Sequence, residues 1–188
     1  MNYKKGKKLL DTEEYLQALD TFKQGAATGD LKCIYGIIAA KACMGEDFSE
    51  HLDALKDAFP ILLDAADEND ADACFIIARC FEKGLCTEAS IDKAIEYYSR
   101  ASALGNSDSL FNLGCINLYR GFDIDVVVTE CFLPSAQLGN ASAQFALGHY
   151  FEHKNDTQSA LLWYSRAAQH GAPNMKEKLK SFLSSISR

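Results

Sequence analysis

Apolar side chains return every three or four residues along this chain, the spacing that gathers them on one face of an α-helix. Between residues 106 and 120, Leu110, Leu113, Gly114 and Asn117 share such a face. Between 90 and 104, Ile91, Ala94, Ile95, Tyr98, Ala101 and Ser102 form another. Glycine disfavours a helix interior by about 1 kcal/mol relative to alanine, so Gly114 is expected to admit a closely packed neighbour.

The helical pattern itself recurs. Gly29, Asn69, Gly105, Gly139 and Gly171 stand 40, 36, 34 and 32 residues apart. Three positions before each lies a small residue: Ala26, Ala66, Ser102, Ala136 and Ala168. Eight further back are Ala18, Ala58, Ala94, Val128 and Ala160, with Phe22, Leu62, Tyr98, Phe132 and Tyr164 between. A period in the thirties marks a stacked helical solenoid. First helices are predicted near 3–10, 30–44, 70–83, 106–120 and 140–153, and second helices near 12–28, 49–68, 90–104, 124–138 and 156–170. A terminal helix over about 173–186 turns Met175, Leu179, Phe182 and Leu183 inward and Lys176, Lys178 and Lys180 outward. The expected architecture is all-α, with about five helix-turn-helix repeats (1–29, 30–69, 70–105, 106–139, 140–171) and a cap (172–188) in a single domain, 1–188.

The joints carry stop-and-start chemistry. Gly105 suits the left-handed residue that ends a helix, and Asn106 or Ser107 can cap the next; Gly29-Asp30, Asn69-Asp70 and Gly139-Asn140 repeat this. Gly171-Ala172-Pro173 varies it, with proline suited to the first turn of the closing helix. Asp11-x-x-Glu14 and Asp47-x-x-Glu50 resemble capping boxes. Pro60 and Pro134 fall inside second helices, which are expected to bend or restart there. The second repeat is longer, its extra residues lying around Met44 to Leu52.

Composition fits a globular chain: 188 residues, 48% apolar and 24% charged. The longest uninterrupted apolar run, Ile34 to Ala40, is too short for a membrane span, and no apolar stretch follows the N-terminal lysines as in a secretory signal. The seven cysteines (33, 43, 74, 80, 86, 115, 131) include no C-x-x-C pair. They read as reduced core thiols in a cytoplasmic protein. If any pair is bridged, Cys115–Cys131, on adjacent helices, is the readiest.

Leu113-Gly114 and Leu147-Gly148 in first helices, followed by Ala-Ile-Glu-Tyr-Tyr-Ser-Arg-Ala-Ser-x-x-Gly (94–105) and Ala-Leu-Leu-Trp-Tyr-Ser-Arg-Ala-Ala-x-x-Gly (160–171), resemble the Sel-one-like repeat, a tetratricopeptide-related family. The segments 90–120 and 140–171 carry the resemblance most closely; 12–44 and 49–83 are degenerate but in register. The resemblance implies a right-handed α/α superhelix with first helices on its concave side, and a role as scaffold or adaptor binding a protein or peptide there. On that geometry one stripe beside the core face is the candidate protein-binding surface: Lys32, Tyr35, Ala39 and Ala42; Asp72, Phe75, Arg79 and Glu82; Asp108, Phe111, Cys115 and Leu118; Ser142, Phe145, His149 and Glu152. Its aromatic row could serve a peptide or the packing between repeats; Arg79, Glu82, His149 and Glu152 are polar without a packing need and are the expected contacts.

Charge modifies this picture once. The net charge is −7, and from Glu46 to Asp72 ten acids face the single base Lys56, which could steer a basic partner and disfavours nucleic acid. His149 and His153 lie four apart but lack the His-Glu-x-x-His order and a nearby third ligand, so no metal site is expected. His51 and His170 read as surface residues. No phosphate loop, nucleophile elbow or paired carboxylates suggest catalysis, and no cofactor is expected. The expectation is a monomeric, non-enzymatic adaptor. An exported cysteine-stapled repeat protein, or a metal or hydrolytic protein using His149 and His153, are the alternatives.

Overall fold

The computed structural model describes residues 2–170 and 173–186, except for the side chains of His170 and Pro173. Gly171, Ala172 and the exposure of His170 therefore lie outside the described residues. The chain divides into two compact units, Met1–Asn106 and Ser107–Arg188. No strand occurs among the described residues.

The first unit holds α1 (Asn2–Asp11), α2 (Tyr15–Ala27), α3 (Lys32–Met44), a 3₁₀ turn (Ser49–His51), α4 (Leu52–Asp67), α5 (Ala71–Lys83) and α6 (Ile91–Ala103). Each helix packs on the next, and α3 also meets α5. The second unit holds α7 (Ser107–Tyr119), α8 (Ile124–Val127), a π turn (Val128–Phe132), α9 (Leu133–Gln137), α10 (Ala141–His153), α11 (Thr157–His170) and α12 (Pro173–Ile186). There α10 packs on α9 and α11, and α12 closes on α11.

The periodic anchors explain the stacking. Ala18/Phe22, Ala58/Leu62 and Ala94/Tyr98 in the first unit, and Val128/Phe132 and Ala160/Tyr164 in the second, are all buried. Each large side chain fills the space between helices, and the small one a turn earlier lets them approach. Gly114 and Gly148 complete the fit: a Cβ on either would run into the ring of Phe132 or Tyr164. At the joints Gly29, Asn69, Gly105 and Gly139 are left-handed, with φ of 88, 65, 86 and 92°. At every one of these joints the following N–H reaches back five residues, as in Asp30 to Gly25 (3.0 Å) and Asp70 to Ala65 (3.0 Å). The left-handed residue's own N–H bonds to the small residue three before it, as Gly105 does to Ser102 (2.9 Å). The repeated Gly-and-small phrase is thus a helix-ending motif.

Capping departs from expectation at several starts. Asp70 does cap α5, accepting from the N–H groups of Asp72 and Ala73, and Asn140 caps α10 through Ala143. Asp30 makes no cap on α3, whose N-cap position is Leu31, without a side-chain bond. Asp11-x-x-Glu14 is no capping box, because α1 runs through Asp11 and Glu14 itself precedes α2. Asp47 holds Ser49 N–H (2.9 Å) to start the 3₁₀ turn, while Glu50 pairs with Lys41 (2.7 Å) and does not reach back. Ser90 and Asp123 supply caps for α6 and α8.

The prolines behave differently from one another. Pro60 sits inside α4 without breaking it, on an exposed face. Ahead of Pro134 the helix widens into the π turn, where Leu133 N–H bonds to Val128 five residues back. In α12, Phe182 is buried and Met175 and Leu179 half-buried as expected, but Leu183 is exposed and Lys178 turns inward to Glu152. All seven cysteines are free, Cys115 and Cys131 included. Cys33, Cys74, Cys80 and Cys131 are buried as small core residues; Cys43 and Cys115 are exposed.

Candidate functional site

The stripe resolves into two environments, one in each unit. In the first, Lys32 pairs with Asp70 (2.8 Å), and Asp72 stands half-buried in the first turn of α5. Tyr35 and Phe75 are buried edge to face, with centroids 6.4 Å apart, and Phe75 continues to Tyr98 at 6.0 Å. Arg79 donates to the Tyr35 hydroxyl oxygen (3.1 Å) and to Glu82 (2.9 Å), while Tyr98 O–H donates to the same Glu82 carboxylate. Burial works against ionisation of Glu82, but hydrogen bonds from Lys83 and Tyr98 and the Arg79 charge outweigh it, holding the carboxyl below its ordinary range. Burial, helped by Glu82, pushes the Tyr98 hydroxyl well above its own. Packing therefore has a use for Arg79 and Glu82: they tie α3, α5 and α6 together.

In the second unit the stripe opens a groove of about 770 Å³. Phe111, Cys115 and Leu118 of α7, Ile124 of α8 and Phe132 form one side; Ser142, Phe145, Ala146, His149, Tyr150 and His153 of α10 form the other, with Lys154, Asn174 and Met175 at the margins. Its walls are overwhelmingly apolar. The His149 ring stands edge-on to Phe145 (4.7 Å) and Tyr164 (5.4 Å). Burial, and after it the Lys178 charge, lower the His149 pKa despite Glu152 nearby, so the imidazole faces the groove neutral at pH 7. Its Nδ1 lies 3.7 Å from Glu152, an ion pair only in acid. At the rim Tyr150 O–H donates to Asp125 (2.9 Å) and Lys154 pairs with Asp125 (3.0 Å), pinning the end of α10 to α8.

Of the sequence-nominated residues in this unit, Phe111, Cys115, Leu118, Ser142, Phe145 and His149 meet in the groove. Asp108 and Glu152 do not line it. Asp108 accepts from Asn140 (2.6 Å), and Glu152 accepts from Tyr164 O–H and from Lys178. Ile124, Phe132, Ala146, Tyr150, Asn174 and Met175 were not in the stripe. The usable signal for Ile124 was the set of apolar residues on either side of Gly121: Leu118, Tyr119, Phe122, Ile124 and Val126 are all exposed, Tyr119 at 94%. Leu118 and Ile124 line the groove and, with their exposed chain neighbours Tyr119, Phe122 and Val126, form its apolar lip. His149 and His153 share the wall, but among the described residues no three His, Cys, Asp or Glu side chains could hold a metal ion together. No helix among them is long and apolar enough to cross a membrane.

Paired helices of about thirteen residues, closed by left-handed caps and stacked through small-and-large columns, define an all-helical repeat protein. Residues 71–106 and 141–171, the α5–α6 and α10–α11 hairpins, match the Sel1 repeat. The chain thus carries two Sel1-like repeats, in these two hairpins. The first matched segment starts at the first helix of its hairpin, not with the second-helix framing (90–120) read from the sequence. Three solved structures share the fold. A Sel1 repeat protein from Oxalobacter formigenes aligns over 88% of this chain and 68% of its own, with a TM-score of 0.60 and 24% identity. The protective antigen c5321 of uropathogenic Escherichia coli, described as displaying an SLR fold, covers 86% and 35%, at 0.56 and 21%. The immunity protein Pa5087 from Pseudomonas aeruginosa covers 88% and 63%, at 0.53 and 18%. Chitin synthase regulatory factor 4 of Schizosaccharomyces pombe is 30% identical over 86 residues, 44% of this chain but only 14% of that protein. Sel1 repeats generally serve as non-enzymatic scaffolds for protein–protein interaction.

Proposed function

We propose that this protein is a non-catalytic adaptor whose second unit grips an apolar peptide segment of a partner protein in the α7–α10 groove. The observation that carries this reading is the continuity of an apolar groove with an exposed apolar lip; large exposed apolar patches mark interaction sites. Family scaffolding supports it, and so does the word "regulatory" in the yeast relative's name, although the chain spans a small part of that protein. The acidic stretch from Glu46 to Asp72 in the first unit would favour a partner with a basic flank and disfavours nucleic acid. Seven free thiols fit a reducing cytoplasm better than export. The protein acts in this reading as a monomer.

The test is selection of a random peptide library on the full chain, followed by titration of a selected peptide. Leu118→Asp and Ile124→Asp alter exposed positions and should leave the circular dichroism unchanged while weakening that peptide at least ~10-fold, as expected where charge enters an apolar contact. Unchanged affinity in both would place binding elsewhere.

A further inference from the structure

Away from the groove, two thiols meet. Cys80 is fully buried near the end of α5, and Cys86 lies half-buried in the turn to α6. Gly84, left-handed at φ 64°, reverses the chain between them. Leu85 N–H then donates to the carbonyl of Cys80 itself (3.1 Å), and Ser90 N–H to that of Phe81 (2.9 Å), so both ends of the turn are tied to α5. This fold-back brings the Cys86 thiol beside that of Cys80. The neighbouring Cys80 thiol, reinforced by the Lys56 charge and opposed by burial, lowers the Cys86 thiol below its ordinary range; the proximity of Cys86 and burial push Cys80 upward. The accessible sulfur of the pair is the one that ionises, and a thiolate is the reactive form.

We propose that Cys86 and Cys80 form a peroxide-reactive dithiol, with Cys86 as the attacking sulfur and Cys80 as its resolving partner. The Cys86 thiolate attacks one oxygen of hydrogen peroxide, breaking the O–O bond, releasing hydroxide and leaving a sulfenic acid. The Cys80 sulfur then displaces the sulfenic hydroxyl: the S–S bond forms, the S–O bond breaks, and the Cys80 proton leaves with the hydroxyl as water. In sum, two thiols and one peroxide give one disulfide and two waters.

The experiment treats the reduced full chain with one equivalent of hydrogen peroxide, blocks remaining thiols with N-ethylmaleimide and digests with trypsin. Cleavage after Arg79 and Lys83 separates residues 80–83 from 84–93 in the reduced protein; oxidation should hold them together, two hydrogens lighter. This product should form ~10-fold faster than any oxidation of the exposed Cys43 and Cys115, as expected for a thiolate of lowered pKa. In Cys80→Ala, a dimedone adduct on Cys86 should replace the cross-link. Oxidation of Cys43 or Cys115 at an equal rate overturns the proposal. So does conversion of Cys86 to sulfinic acid while Cys80 remains free to alkylate, and both readings use the native chain, whether or not the variant folds.

Discussion

Two tyrosine–glutamate pairs, Tyr98 with Glu82 and Tyr164 with Glu152, occupy equivalent places in two repeats and show how single residues lock a hairpin. Each bond joins the buried ring of a second helix to the last turn of its first helix. Tyr98→Phe should cost about 1.5–3 kcal/mol, the range for a hydrogen bond to a charged group, read from urea midpoints. Tyr164→Phe should cost less, because the Glu152 side chain is 35% exposed against 16% for Glu82, so water replaces the lost donor more readily. Glu82, Glu152 and Asp70 all ionise below their ordinary range, each against the opposition of burial and through its hydrogen-bond donors. The folded state then binds fewer protons than the unfolded one in acid. The stabilisation is present above the unfolded carboxyl value of about 4 and is lost as pH falls through the lower folded values. Glu82→Gln should therefore lower stability at pH 7 and flatten its decline below about pH 4. At Gly114 and Gly148 the demand is for space alone, since neither is left-handed. Alanine at either should cost about 1–3 kcal/mol through overpacking against Phe132 or Tyr164.

At the scale of the element, Pro60 is the clearest departure from local preference. It removes one hydrogen bond from the middle of α4 on an exposed face, yet the helix continues because Leu55, Ala58, Leu62 and Ala66 bury one continuous stripe. Pro60→Ala should restore that bond and raise stability by up to about 3 kcal/mol, with slower amide exchange in α4 as the check. Sequence periodicity located nearly every helix, because the period-four columns are both the repeat signal and the buried core. It could not tell that one proline would be absorbed and the other preceded by a π turn, since that depends on which face is packed. Nor did it reveal Glu13 and Asn155 as left-handed turn residues, with φ of 60 and 58°. Glutamate seldom adopts that conformation, so Glu13 gives no signal; asparagine adopts it more readily, but Asn155 lies outside the aligned joints. Half of the candidate groove was legible through the aromatic row; the α8 and α12 contributions were not, because they come from outside the repeated phrase.

Across the molecule, charge divides along the same line as the two units. Residues 107–188 balance their acids and bases, so the net −7 belongs to residues 1–106. Peptide binding confined to the second unit's groove should then change less than about 3-fold between 50 and 500 mM salt, whereas any contribution from the acidic first unit would weaken steeply. Titration of a selected peptide at the two salt concentrations separates these cases. The glycine–aromatic fit reaches further than stability. Phe132 and Tyr164 each press on a glycine of their own hairpin, but Phe22 lies against both Gly6 and Gly36, one on either side of the first joint. Anyone shuffling this chain therefore has unequal seams: the hairpins that carry Gly114 or Gly148 travel with their own ring and can be exchanged as cassettes. The first two hairpins share a single ring and have to be moved as one piece.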